Sequence, residues 1–267
     1  MAEAWKSYDS VAATHDRLCV PSAFAQPAKD LAAKMDFRVA ERVLDVGTGT
    51  GIAGLLAKEL ASKEIMVAGL DPSIEMLRIA RSHGLLYVVA GAVPGLPFAA
   101  GTFDRVVGSF VLAHFADYKS ALVDMARVVG RGGRLGVTAW GRLQDHYRKR
   151  WQFIAESFAG EKALGLAMQE ALPWEDWFAE PDHLRQAFEG AGLIRHELHH
   201  FAYTIRISIT DFLATRETSL AGRFMRQTLD PNHWEQFRQA VSTEFYKTFT
   251  DPIEYVRDVH IAIGTRP

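Results

Sequence analysis

The segment Val43-Leu-Asp-Val-Gly-Thr-Gly-Thr-Gly51 constrains this chain more than any other. A short apolar run meets three glycines spaced two apart, and a helical pattern follows. Glycine has no side chain, so the backbone can turn tightly there and let a ligand come close. The free amides at the start of the next helix favour an anionic group. Asp71 stands at the end of a second apolar run, where a carboxylate can accept hydrogen bonds from two ribose hydroxyls. The segment implies a strand–turn–helix unit that holds a nucleotide-like cofactor.

The surrounding pattern extends that unit. Apolar runs at 42–46, 66–70, 85–90, 105–109 and 134–139 are short, rich in Val and Leu, and bounded by Gly, Pro or Asp, which suits buried strands. Helical stretches at 51–61, 73–82 and 119–129 separate them, and such alternation implies a parallel sheet covered on both faces. Residues 1–40 read as helical, broken at Pro21 and Pro27. Residues 143–180 read as aromatic and helical. A helix is expected over 181–192, opened by Asp182 and its neighbours and closed by Gly190-Ala-Gly192, with Asp182-His183 suited to capping. Residues 195–209 alternate as a strand, and 210–248 read as helical. Residues 254–264 alternate again, with Tyr255, Arg257, Val259, Ile261 and Ile263 on one face. The expected fold is α/β: a Rossmann-like, mostly parallel seven-stranded sheet with an antiparallel last strand, helices on both faces and a helical cap insertion. By residue, 1–40 form an N-terminal helical lid, 41–209 the core with its helical segment 143–180, 210–250 the cap, and 251–267 the last core strand.

Composition limits the function classes. The 267 residues carry 30 Lys and Arg against 32 Asp and Glu, a formal net charge of −2, which leaves no electrostatic footprint for nucleic acid. The single cysteine, Cys19, excludes an internal disulfide and speaks against a cysteine-built zinc site. No apolar segment resembles a signal peptide or a membrane span. A cytoplasmic protein is expected, monomeric or homodimeric, with no metal.

Asp45 distinguishes among nucleotide cofactors. A nicotinamide fingerprint runs an apolar strand into G-x-G-x-x-G, whereas this chain reads G-x-G-x-G with a carboxylate two residues before Gly47. That carboxylate suits a cationic ligand end, such as the α-ammonium and sulfonium of S-adenosyl-L-methionine. It could also simply bond loop amides, and the two roles can coexist.

Residues 38–140 resemble the class I methyltransferase core of the broad family that includes the ubiquinone and menaquinone C-methyltransferases. Five segments carry the resemblance: Val43–Gly51, Gly69-Leu-Asp-Pro-Ser-Ile-Glu-Met-Leu77, Gly91-Ala-Val-Pro-Gly-Leu-Pro-Phe98, the stretch from Gly101 to Phe115, and Arg127-Val-Val-Gly-Arg-Gly-Gly-Arg-Leu135. Tyr8-Asp9 resembles the family's early Tyr-Asp pair, which closes over the cofactor. The resemblance implies S-adenosyl-L-methionine as methyl donor and S-adenosyl-L-homocysteine as product. It also implies a cofactor site of Tyr8, Asp45, Gly47, Thr48, Gly49, Asp71, Pro72, Met76, Gly91, Ala92, Val93, Ser109, Phe110 and His114. Ala92 departs from the pattern, since relatives usually place an acid there to bond the adenine amino group. Losing that bond costs roughly 1.5–3 kcal/mol, so weaker adenine discrimination is expected.

Methyl transfer from a sulfonium requires in-line placement of a nucleophile and exclusion of water. A base is needed only for a protonated acceptor. His114, His15, His146 and His200 are candidates. His114 leads, because it follows the fourth strand at the edge where open α/β sheets bind ligands, although packing against the cofactor suits it better than a catalytic contact. His83 and His199 have no ligand spacing. Aromatics after residue 140 and in the cap, with Trp5, could line a pocket for an aromatic or apolar small molecule: Tyr147, Trp151, Phe153, Trp174, Trp177, Phe178, Phe212, Phe224 and Trp234. Aromatics at helical spacing are also ordinary core. Arg216, Arg223 and Arg226 could meet an acidic substrate or form a solvated face, and the run Arg142, Arg148, Lys149, Arg150 reads as a solvated face rather than a phosphate-binding patch. A nicotinamide-dependent oxidoreductase and a non-catalytic cofactor-binding relative remain open as alternatives, and a nucleic-acid or protein methyltransferase fits the near-neutral charge less well.

Overall fold

The computed structural model describes residues 4–143 and 145–267. The first three residues of the expected 1–40 segment, and Gln144 of the 143–180 segment, lie outside the described residues. The chain builds one seven-stranded sheet in the order β3-β2-β1-β4-β5-β7-β6. The strands are β1 (Arg42–Val46), β2 (Met66–Asp71), β3 (Tyr87–Ala90), β4 (Phe103–Ser109), β5 (Val129–Trp140), β6 (Ile194–Ile207) and β7 (Ile253–Thr265). β1 through β5 run parallel, and β7 lies antiparallel between β5 and β6. The sheet is the Rossmann-like one expected, with every anticipated strand present.

Two cores flank the sheet. On one face Val43, Val107 and Val259 meet helices Ala25–Met35 and Ile52–Leu60. On the other, Leu44, Val106 and Leu135 meet helices Tyr118–Val128 and Pro181–Gly190. Burial on both faces explains why these strands read as continuous apolar runs. Local chemistry sets the helix starts. Ser73 Oγ accepts the Met76 amide at 3.2 Å to cap helix Ile74–Ser82, and Asp117 accepts from Lys119 and Ser120 ahead of Tyr118–Val128, the expected use of these residue types.

Between β6 and β7 the chain forms helices Ile209–Thr218, Leu220–Thr228 and Pro231–Thr248. With helices His146–Ala159 and Glu161–Ala171 they enclose a separate core around Trp151, Phe212, Phe237 and Phe245. The insertion therefore has its own apolar centre, which lets it stand over the sheet.

Two local expectations need correction. The prolines do not break the N-terminal helix: Pro21 lies inside a π-helical stretch, His15–Phe24, that runs on into Ala25–Met35, where Pro27 sits in the first turn. The wider i→i+5 turn tolerates a missing N–H, and so do first-turn positions. Asp182 does not cap its helix either. Glu180 occupies the cap position without a side-chain bond, Pro181 begins the helix, and Asp182 pairs with Arg185. His183 instead stacks on Trp177, their centroids 4.1 Å apart.

Candidate functional site

β1 lies between β2 and β4, so the strand order reverses there and a cleft opens beyond the carboxyl ends of these strands. The glycine turn after β1 forms its floor. Gly47 has φ of +63°, and a Cβ there would lie 2.3 Å from Val111 Cγ1. Gly49 has φ of +54°, yet a Cβ there would meet nothing within 4 Å. The first glycine answers to packing, whereas the second faces open space.

Two carboxylates stand behind this turn. Asp45 is 1 % exposed. Its Oδ2 accepts from Thr48 Oγ1 at 2.7 Å and from the Gly54 amide at 2.9 Å. Burial pushes its pKa up to about 7 against these two bonds, and Asp71 adds repulsion. The loop-bonding role is thus filled through one oxygen, while the residue still borders the cavity. Asp71 is 8 % exposed at the end of β2. Its Oδ2 accepts the Gly49 amide and its Oδ1 the Ser73 amide, each at 2.9 Å. Each oxygen keeps a further lone pair. Burial raises the Asp71 pKa, and the two amides oppose the rise.

The N-terminal segment crosses over the cleft. Trp5 packs edge-on against Phe224 at 5.3 Å, and its carbonyl accepts Arg223 Nε at 2.7 Å. The Arg223 guanidinium also lies 4.1 Å from the Tyr8 ring centroid. Asp9 reaches the other side, accepting Ser73 Oγ at 2.6 Å and the Glu75 amide at 3.1 Å. Residues 5–9 are therefore tied at once to the insertion and to the turn that follows Asp71.

These pieces surround a cavity of about 1450 Å³. Every residue of the expected cofactor set borders it, from Tyr8 through Asp45, the glycine turn, Asp71, Pro72, Met76, Gly91, Ala92 and Val93 to Ser109, Phe110 and His114. His15 joins them, whereas His146 and His200 do not. His146 packs against Tyr147 with the rings tilted, and His200 pairs with Asp258 at 3.0 Å. His114 is open to the cavity yet walled by protein, so a charged imidazole would be poorly solvated, and its pKa falls to about 4 with repulsion from Arg223. His15 falls likewise to about 4, chiefly by burial.

The structure redraws the expected aromatic wall. Trp151 and Phe153 border the cavity, but Tyr147, Phe212, Phe224 and Trp234 pack around the cap core and Trp5 beside it. Trp174, Trp177 and Phe178 pack on Tyr118. Phe24, Phe110 and Trp140 also line the cavity, with Phe110 stacked on Trp140 at 4.1 Å. Of the cap arginines, Arg216 borders the cavity, Arg223 is buried against the N-terminal segment, and Arg226 is exposed. Arg148 and Arg257 also line the cavity and were missed. For Arg257 a signal existed, because a charged residue stood alone on the apolar face of the last strand.

The comparisons with known proteins agree with this geometry. A model described as a methyltransferase domain matches residues 44–137. The demethylmenaquinone methyltransferase of Thermus thermophilus is 34% identical over 171 residues, covering 59% of this chain and 77% of that protein. The enzyme of the same name from Corynebacterium kroppenstedtii is 40% identical over 104 residues, covering 39% of this chain and 44% of that one. The chain belongs to the class I S-adenosylmethionine-dependent methyltransferases. Its fold is also that of the YcgJ protein from Bacillus subtilis, with a TM-score of 0.58 and 17% identity over 91% of this chain and 99% of that one.

The residues of this methyltransferase fit the family's methyl donor. The turn at Gly49 leaves room where a side chain would project, Asp71 retains acceptor capacity, and Asp45 places a carboxylate at the cavity edge. Ala92 brings no acid to the cavity wall.

Proposed function

We propose that the chain methylates a small-molecule acceptor by in-line displacement, using S-adenosyl-L-methionine and releasing S-adenosyl-L-homocysteine. The observation that carries this reading is a single cavity of about 1450 Å³ that joins the glycine turn and Asp71 to the insertion. Pockets for one ligand occupy roughly 300–1,000 Å³, so this one has room for a nucleoside donor and a second molecule.

In this reading the donor's sulfonium supplies an already activated methyl group. The chain's part is to hold and orient. The Asp71 carboxylate accepts from the ribose hydroxyls, and the Gly47–Gly49 backbone lets the donor approach. Asp45 faces the ammonium end, Met76 and Pro72 border the adenine, and the amides of Ala92 and Val93 read its edge. Ser109, Phe110 and His114 border the reacting centre. Residues 1–40 serve as a lid: Tyr8 and Asp9 close the cleft and exclude water, which strengthens every electrostatic contact inside. The 210–250 insertion forms the acceptor side. The relatives' name makes demethylmenaquinone one acceptor to try.

Two measurements test the proposal. Calorimetry with S-adenosylhomocysteine should give one site per chain. Tritium-labelled donor should pass label into a small-molecule fraction of a cell extract. Binding without transfer to any fraction would mark a non-catalytic relative, and no binding would end the proposal.

A further inference from the structure

Three neighbouring arginines of the cavity lining have no ion-pair partner among the described residues. Arg148 comes from helix His146–Ala159, Arg216 from Ile209–Thr218 and Arg257 from β7, and all three line the cavity. Arg257 is 8 % exposed, with its guanidinium 3.8 Å from the Trp140 ring centroid. Arg216 lies 5.6 Å from the Phe212 ring. The Nε atoms of Arg216 and Arg257 are buried with no hydrogen-bond partner. Neighbouring ion pairs join Arg142 to Glu180 and Arg150 to Glu244, and among the described residues none includes these three arginines. Asp145 and Glu175 act on the group, and Glu156 and Asp176 also line the cavity. Asp145 Oδ1 is engaged by the Arg148 amide at 2.6 Å as a helix cap. Among the described residues none of these carboxylates pairs with the three arginines.

Burying guanidinium groups without counter-ions is costly, and these repel one another. Burial and then Arg148 push Arg216 down to about 10, and burial with Arg148 and Arg216 pushes Arg257 well below its ordinary value. They stay charged at neutral pH. An oxyanion would relieve the repulsion and occupy the orphaned donors, and forked guanidinium groups match carboxylate and phosphate geometry.

Building on the methyltransferase reading, we propose that the acceptor is an anion: its carboxylate or phosphate group docks on Arg148, Arg216 and Arg257, and its apolar body lies along the Phe24, Phe110 and Trp140 wall. The anchor fixes the acceptor's orientation towards the glycine turn.

Calorimetry on the protein saturated with S-adenosylhomocysteine tests this with three probes that share one ring system: 2-naphthoate, 2-naphthyl phosphate and neutral 2-naphthamide. At least one anion should bind about tenfold tighter than the amide, the scale of a charge-assisted contact. The tighter anion identifies the source group. Arg216→Gln and Arg148→Gln should each bring the preference below about threefold, with S-adenosylhomocysteine affinity unchanged, which also certifies folding. Equal binding of acid and amide, no binding of either anion, or a preference that survives both substitutions overturns the proposal. The methyltransferase reading fails separately, if S-adenosylhomocysteine itself does not bind in the first titration.

Discussion

Ser73 Oγ donates a 2.6 Å hydrogen bond to Asp9 Oδ1, linking the N-terminal segment to the turn that also positions Asp71. The same hydroxyl caps helix Ile74–Ser82, so the N-terminal segment and the turn after Asp71 share one atom. The Ser73 hydroxyl and the Glu75 amide hold the Asp9 carboxyl below its ordinary pKa. Asp9→Ala should therefore loosen the lid without unfolding the chain. We expect S-adenosylhomocysteine to bind about three- to tenfold more weakly, the range for one largely exposed charged contact. Calorimetry reads the affinity, and the ligand-free melting temperature should move by less than about 2 °C. Unchanged affinity would show that the contact does not gate the cleft.

The two glycines of the turn should fail differently. Gly47→Ala places a methyl 2.3 Å from Val111 Cγ1 at a positive φ, so strain and overlap both act on the fold, and the melting temperature should drop by roughly 4–8 °C. Gly49→Ala meets no protein atom and incurs mainly left-handed backbone strain of about 1–2 kcal/mol. Its methyl points into open space at the cavity, so the larger effect should be on S-adenosylhomocysteine affinity, by more than about tenfold. If Gly49→Ala melts as low as Gly47→Ala and binds normally, the cradle is structural.

The contrast between those glycines shows where sequence reading works. The G-x-G-x-G spacing, Asp71 and the alternation of apolar runs with helices are local signals, and each reports a backbone requirement that tertiary packing does not change. β1 begins and ends where its apolar run does. Arg148 was hidden for the opposite reason. In a run with Arg142, Lys149 and Arg150 it looked solvated, and only the placement of the insertion turns it inward. Trp140 and Phe24 come from distant segments and meet at 5.6 Å, which no spacing rule encodes. The prolines misled because a π-helical stretch accommodates Pro21, and nothing in the local composition announces that stretch.

Asp45 gives the cofactor site a pH dependence. Its folded pKa stands near 7, above the ordinary carboxyl value, because burial disfavours the charge. The folded state therefore holds this proton more tightly than the unfolded chain. Its contribution to stability is present at low pH and is lost as pH rises from about 4 through 7. A cationic ammonium beside Asp45 reverses the balance and lowers the pKa, so binding near pH 7 should release roughly half a proton, and affinity should climb between pH 6 and 8. Titrations in two buffers of different ionisation enthalpy measure the proton count. Asp45→Asn should abolish both the release and the slope. No proton release by the native protein would place the ammonium elsewhere.

His114 is the remaining point of chemistry. It borders the cavity and lies 6.1 Å from the Tyr8 ring, edge to face. A general base works best with a pKa near the operating pH, whereas desolvation by the surrounding cavity walls, with repulsion from Arg223, takes His114 to about 4. The imidazole is neutral at pH 7 and only weakly basic. Removing it should disturb packing around Tyr8 more than proton transfer. His114→Asn, assayed with tritium-labelled donor and cell extract, should keep at least about a tenth of the native rate, since loss of a working base costs about 10²–10⁴-fold. Its rate should vary with pH between 6 and 8 as the native rate does. A hundredfold loss, together with disappearance of an acid limb present in the native profile, would restore His114 as the base. It would also require the bound donor to raise the imidazole's pKa.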